Sequence, residues 1–336
     1  MSTPENKPTP IIEVINLQKK YGRINAIKGI SFSVGKGEIV GFLGPNGAGK
    51  STTLRILAGL ISADSGEAKV CGVDLAEGDG EVRNLIGFLP ENNPLPDDLR
   101  VIEYLNFRAR LKGLSGSRLR ERVKISLETC DIERKISERK IGNLSKGFRQ
   151  RVGIADSILA EPRLVILDEP TIGLDPHQSA VTRKMMERLK GEVSFLLSSH
   201  ILSEVEACCD RMIILSHGQI VAEGTLNRLQ EKFITKTKFE VVAKTRKISI
   251  KKSIRSIDES CELITDDPVD LTGKRRFVFT TDKGEETAVT IIRHLVKQEF
   301  FKIFEFQINR PNLESIFLRA TKENWDYFDS LERKIK

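Results

Sequence analysis

Long apolar runs are missing from this 336-residue chain. No stretch approaches the roughly 20 consecutive apolar residues that a membrane-spanning helix needs. The opening residues, Met1 to Pro10, are polar and Pro-rich, without the apolar core of a secretory signal. The expectation is a cytosolic chain, with any membrane part on another polypeptide. Cysteine is sparse and shows no metal-like spacing: Cys71, Cys130, Cys208, Cys209 and Cys261 make an odd set of five. That argues against a disulfide scaffold or a zinc module and for reduced thiols. A charge excess is missing outside one segment. Residues 236–255 carry eight Lys/Arg and one Glu, a local +7 that equals the formal net charge of the whole chain, so the remainder is balanced. Only Phe239 interleaves aromatically there, which disfavours nucleic acid and favours a solvated or membrane-facing edge. The length allows a domain of about 230 residues and a second of about 100, each with its own core.

What is present is a phosphate-binding pattern. Gly44-Pro45-Asn46-Gly47-Ala48-Gly49-Lys50-Ser51 fits G-x-x-x-x-G-K-[ST], between a strand-like run, Glu38 to Leu43, and a helix-like run from Thr52 to Leu60. Polyphosphate carries several negative charges. Successive backbone N–H groups cradle them only where glycines let the chain turn tightly and approach closely. Lys50 adds a cation that reaches the outer phosphates, the helix opening at Ser51-Thr52 directs its positive end at the same anion, and the Ser51 hydroxyl suits a magnesium ion.

Such a site needs an acidic strand end as its second half. Leu164-Val165-Ile166-Leu167 is a short apolar run of the kind buried in a parallel sheet, and it ends in Asp168-Glu169-Pro170. Adjacent carboxylates suggest divided roles. Asp168 is expected to hold magnesium, while Glu169, on the other side of an extended chain, is expected to polarise the attacking water as general base.

Further segments resemble the nucleotide-binding subunit of an ATP-binding cassette (ABC) transporter over about residues 11–235. Leu144-Ser145-Lys146-Gly147-Phe148-Arg149-Gln150-Arg151 resembles the family signature, Gly173-Leu174-Asp175 the D-loop, and Ser199-His200 after Phe195-Leu196-Leu197 the switch histidine. Tyr21 stands where the family keeps an adenine-stacking aromatic. The implied fold is α/β: a phosphate-loop ATPase domain with a parallel-sheet core, an antiparallel β subdomain and a helical subdomain at about 92–150, followed by a small α+β domain over 236–336. The implied cofactors are ATP and Mg2+.

The resemblance implies a mechanism as well. Two such domains meet head to tail, as a homodimer or with a second ATPase subunit, so Ser145 and the Gly147 N–H reach the γ-phosphate held by the partner's phosphate loop. Asp175 belongs to the same contact. Lys50, Glu169 and His200 are the implied catalytic set, with Gly44 through Thr52 and Tyr21 binding nucleotide. Three positions depart from the commonest pattern. Glu91, in Ile86-Gly87-Phe88-Leu89-Pro90-Glu91, stands where many members carry glutamine; it can still accept from metal-bound water but cannot donate as an amide. Lys146 and Phe148 replace the usual glycine and glutamine, a variation similar to exporter-type ATPases with separate membrane subunits. Export through a membrane-spanning partner, with the ATPase peripheral on the inner face of the membrane, is therefore the expectation; a soluble ATPase acting on ribosomes or nucleic acid is the alternative.

Between Glu91 and the signature, Val101 to Gly113 and Leu119 to Cys130 read as helices broken at Gly113 to Ser117. After 235, the segments Lys238 to Ala243, Ile248 to Ile254, Arg276 to Thr281, Thr287 to Gln298 and Lys302 to Ile308 read as strands and helices. Leu313 to Ala320 reads as a final short helix.

Overall fold

A computed structural model describes residues 9–77, 81–233, 236–244, 247–269, 273–298, 301–309 and 312–322. Most of the Met1–Pro10 stretch, expected to be flexible, and Thr245-Arg246 of the basic segment lie outside the described residues. The chain divides into two compact units: the first runs to Leu226 and takes the chain back at Ala320, and the second is Asn227–Arg319.

The first unit holds two sheets. An antiparallel sheet of β1 (Ile12–Tyr21), β2 (Ile24–Val34), β4 (Ser65–Val70) and β5 (Val73–Asp74) runs in the order β2-β1-β4-β5. The second sheet takes β3 (Ile39–Leu43), β6 (Ile86–Leu89), β7 (Leu164–Asp168), β8 (Ser194–Ser199), β9 (Arg211–Ser216) and β10 (Gln219–Gly224). Its order is β10-β9-β3-β8-β7-β6. Only β10 pairs antiparallel; the other five strands are parallel. β3, β7 and β8 are buried at every position, which is why they read as continuous apolar runs rather than alternating ones.

Helices α1 (Lys50–Leu57), α2 (Glu81–Leu85), α6 (Lys146–Ile158), α7 (Pro176–Leu189) and α8 (Leu202–Cys208) connect these strands. A helical excursion between β6 and β7 contains α3 (Val101–Leu111), α4 (Gly116–Thr129) and α5 (Arg134–Ser137). Its docking is specified by one buried carboxylate: Asp156 of α6 accepts from Arg108 Nε at 3.0 Å and from the Tyr104 hydroxyl at 3.2 Å, both on α3. The Arg108 side chain is 37% exposed but that of Asp156 only 11%, so Asp156 needs its partners and matters more to this docking than any exposed pair on the same helices.

Helix α9 (Leu226–Phe233) leads into the second unit, where β11 (Thr237–Lys244), β12 (Glu262–Pro268), β13 (Arg275–Thr281) and β14 (Lys302–Asn309) form an antiparallel sheet in the order β12-β13-β11-β14. With α10 (Lys247–Arg255) and α11 (Glu285–Lys297) it encloses a core of Phe239, Val241, Phe277, Phe279, Ile250, Ile254, Ile291 and Leu295. Residues 313–322 are helical, in line with the segment expected there. β12 is absent from the sequence expectation for a physical reason. It is an edge strand, largely exposed, reading Glu-Leu-Ile-Thr-Asp-Asp-Pro, and its charges and terminal Pro suit an edge while erasing the alternation that marks a strand.

A buried carboxylate also organises this unit. Asp258 accepts from the Ser260 N–H at 3.0 Å, the Ser260 hydroxyl at 2.8 Å and the Thr281 hydroxyl, and pairs with Lys283 Nζ at 3.2 Å. Burial pushes its acidity in the opposite direction, but these hydrogen bonds win and hold the carboxyl well below the usual range.

Candidate functional site

Parallel strands end together, and ligands bind beyond their carboxyl ends. β3 runs there into the phosphate loop, β6 into Glu91, β7 into Asp168-Glu169 and β8 into His200. The result is a cleft of about 940 Å³ whose lining includes Tyr21, Asn46 through Thr52, Glu91, Glu169, His200 and His217.

Two glycines fix the loop. Gly47 has φ 80° and Gly49 φ 103°, the left-handed region that glycine enters without penalty. At Gly49 a Cβ would also stand 2.6 Å from the Ala26 carbonyl oxygen, so no other residue fits. Lys50 is the first residue of α1 and is buried, its Nζ donating to the carbonyls of Gly44 at 2.7 Å and Pro45 at 3.3 Å. Burial holds its ammonium below the ordinary value, against the upward pull of Glu169, Asp168 and Glu91. A cation so placed, among carboxylates and at a helix start, is suited to an anion carried in by a ligand.

Behind the loop, Ser51 Oγ donates to Asp168 Oδ1 at 3.1 Å and Ser198 Oγ to the same oxygen at 2.6 Å. Asp168 Oδ2 is buried with no hydrogen-bond partner. An orphaned carboxylate oxygen beside a hydroxyl is the hard oxygen set that Mg2+ takes, so these residues fit that ion. Glu169 departs from the sequence expectation. The strand ends at Asp168 and Glu169 has φ 50°, so the two carboxylates are separated by a left-handed turn and not by the alternation of an extended chain. The turn is held by the Glu169 N–H donating to Ser198 Oγ at 2.9 Å. It brings Glu169 Oε2 within 2.7 Å of His200 Nδ1.

Tyr21 closes β1 at the cleft and is 48% exposed, leaving a ring face free for stacking. Ser145, Gly147 and Asp175 are not part of this cleft lining. Ser145 caps α6 and accepts from the Phe148 N–H at 3.5 Å. Asp175 caps α7, accepting from the Gln178 N–H at 2.9 Å. Gly147 is tied to the same neighbourhood, because a side chain on it would run into that of Gln178. The sequence reading overlooked Arg23, Lys28, Ser198 and His217. His217 reaches the cleft from the β9–β10 turn, whose Gly218 O accepts from the Lys28 N–H at 2.8 Å while the Gly218 N–H donates to Ala48 O at 3.1 Å. No spacing rule marks such a residue; only the sheet order brings it there.

The geometry is that of a phosphate-loop nucleotide site. The family model described as ABC transporter matches residues 27–172. The chain is 37% identical to the uncharacterised ABC transporter ATP-binding protein YxlF of Bacillus subtilis (strain 168), over 66% of this chain and 73% of that protein. It is 32% identical to the Nod factor export ATP-binding protein I of Burkholderia orbicola (strain AU 1054), covering 92% and 96%. Among solved structures, an ATP-binding subunit of an ABC transporter aligns at 34% identity and TM-score 0.61, over 66% of this chain and 93% of that one. A dimeric post-hydrolysis cassette bound to ADP and Pi aligns at 27% and 0.59, covering 64% and 98%. The chain belongs to the ABC transporter family as an ATP-binding subunit.

Proposed function

We propose that this subunit hydrolyses ATP in the cleft and uses the cycle to drive export through a separate membrane-spanning subunit, peripheral to the inner face of the membrane. One observation carries the reading. The phosphate loop, the Ser51–Asp168 contact and the Glu169–His200 pair converge on a single cleft at the ends of the parallel strands. Lys50 and the loop N–H groups from Gly44 to Thr52 bind the phosphates, and Tyr21 stacks on the base. Ser51 and Asp168, with Glu91 nearby, hold Mg2+, which when bound neutralises phosphate charge. Glu169 takes the proton of the attacking water, and His200, hydrogen-bonded to it, fixes the carboxylate's direction.

Ser145, Gly147 and Asp175 serve the site of a second ATPase subunit, which their position away from the chain's own cleft supports. The ATPase region is assigned to residues 11–235 and the accessory region to 236–336. Export is supported by the names of relatives, among them Nod factor export and daunorubicin resistance proteins. The test is Glu169→Gln: ATP binding is retained, turnover falls by about 10³-fold, and an ATP-bound dimer accumulates that co-purifies with a multi-span membrane protein. Undiminished hydrolysis would falsify the assignment of the base. Ribosomes or nucleic acid in place of the membrane protein would move the chemistry to another purpose.

A further inference from the structure

Cys208 and Cys209 take no part in the cleft, yet they are set as a pair. Their sulfurs lie 3.7 Å apart. Cys208 ends α8, and Cys209 follows it in extended backbone, φ −93° and ψ 140°. The hydrogen bond between the thiols, helped by Arg183, draws Cys208 below the ordinary thiol range despite burial. The same bond, with burial, raises Cys209. The two neighbouring thiols are thus driven in opposite directions, Cys208 toward greater acidity and Cys209 away from it. Cys71, Cys130 and Cys261 are all raised, chiefly by burial, and behave as inert thiols.

We propose that Cys208 and Cys209 form a dithiol site that hydroperoxides oxidise reversibly to an adjacent-residue disulfide, slowing the ATPase. The Cys208 thiolate attacks the peroxide oxygen; the O–O bond breaks, leaving a sulfenic acid on Cys208 and an alkoxide that leaves as alcohol after taking a proton. The Cys209 sulfur then attacks the sulfenic sulfur. The S–S bond forms, and the hydroxyl departs as water with the Cys209 proton. Two thiols lose two electrons and the hydroperoxide is reduced to alcohol and water.

Closure brings the sulfurs from 3.7 Å to about 2.05 Å. Adjacent Cα atoms stand about 3.8 Å apart, below the roughly 4.4–6.8 Å that unstrained bridges prefer, so the peptide between them must rotate and the bond is easily reduced. α8 has no slack to absorb that rotation. Val205 packs so closely over Gly41 of β3 that any side chain there would collide with it, and Cys209 Sγ would be 3.2 Å from the same added carbon. Asp210 is clamped to β3: its N–H donates to Ile39 O at 2.8 Å, and its carboxylate accepts from the Ile39 N–H at 3.0 Å. Glu204 of α8 accepts from Thr171, two residues beyond Glu169. Rotation at the end of α8 therefore reaches both the strand feeding the phosphate loop and the segment carrying the base. This coupling rests on the reading of the cleft as an ATPase site; the bond itself does not.

No Lys or Arg lies between Lys190 and Arg211, so trypsin releases both cysteines in one peptide, residues 191–211. Full-length protein is treated with hydrogen peroxide, assayed for ATP hydrolysis and digested. Expected are a loss of about 2 Da in that peptide and a fall in hydrolysis of about tenfold. Dithiothreitol restores both, and the Cys208→Ser and Cys209→Ser proteins keep their rates under the same treatment. Unaltered thiols, or sulfinic acid in place of the disulfide, overturn the proposal. Disulfide with unchanged hydrolysis overturns the link to the cleft. Absence of hydrolysis before oxidation counts against the ATPase reading and leaves the mass test standing.

Discussion

Asp168 of the first unit and Asp258 of the second are both almost fully buried, and the two are treated in opposite ways. In the first, both serine hydroxyls that reach Asp168 go to a single oxygen, and the other oxygen is sealed in without a partner. In the second, Asp258 has both oxygens engaged, by Ser260, Thr281 and Lys283. A buried carboxylate oxygen left unpaired costs stability, whereas a saturated one specifies a turn. On the proposed function, the difference separates a group kept for binding from a group kept for folding.

That contrast can be broken by paired substitutions. The largest effect is expected from Asp168→Asn, which should lower ATP hydrolysis by about 10³-fold while leaving the melting temperature unchanged or raised, since the orphaned charge is gone. A clear loss of melting temperature in that protein would mean that Asp168 is structural after all. Asp258→Asn should do the reverse. It leaves hydrolysis within about twofold and destabilises the second unit by about 3 kcal/mol, read as faster hydrogen exchange in β13.

Acid sharpens the same point. The folded Asp258 carboxyl is held below its unfolded value, so its stabilisation is complete above about pH 4 and drains away as pH falls toward the folded value. Exchange protection of the β13 amides should therefore decline on acidification below that point, and the decline should be absent from Asp258→Asn. The smallest effect is expected at Glu91→Gln. The residue lines the cleft but is exposed, so restoring an amide should change hydrolysis by about threefold or less; a change of about a hundredfold would promote Glu91 to a principal ligand.

Much of the first unit was legible because its signals are local. The phosphate loop, the apolar runs of β7 and β8 and the helix start at Ser145 are each written within a dozen residues. What escaped was set by neighbours across the sheet. Ser198 carries no local signal, yet it holds both Asp168 and the Glu169 N–H. Glu169 was expected to continue an extended chain, and the hydrogen bond from its N–H to Ser198 fixes a left-handed turn there. The second unit was legible in its core strands, whose apolar alternation survives burial on one side. Its edge strand was not, because charge placed to protect an edge removes the pattern that would announce it.

The left-handed backbone at Glu169 sets two selections against each other. A Cβ in that region crowds the following carbonyl oxygen at a cost of about 1 kcal/mol, and glycine at the same position would relieve it. A library of variants screened only for resistance to heat should therefore enrich Glu169→Gly, discarding the carboxylate proposed to be the base. The same library screened for turnover should retain the acid and carry the strain.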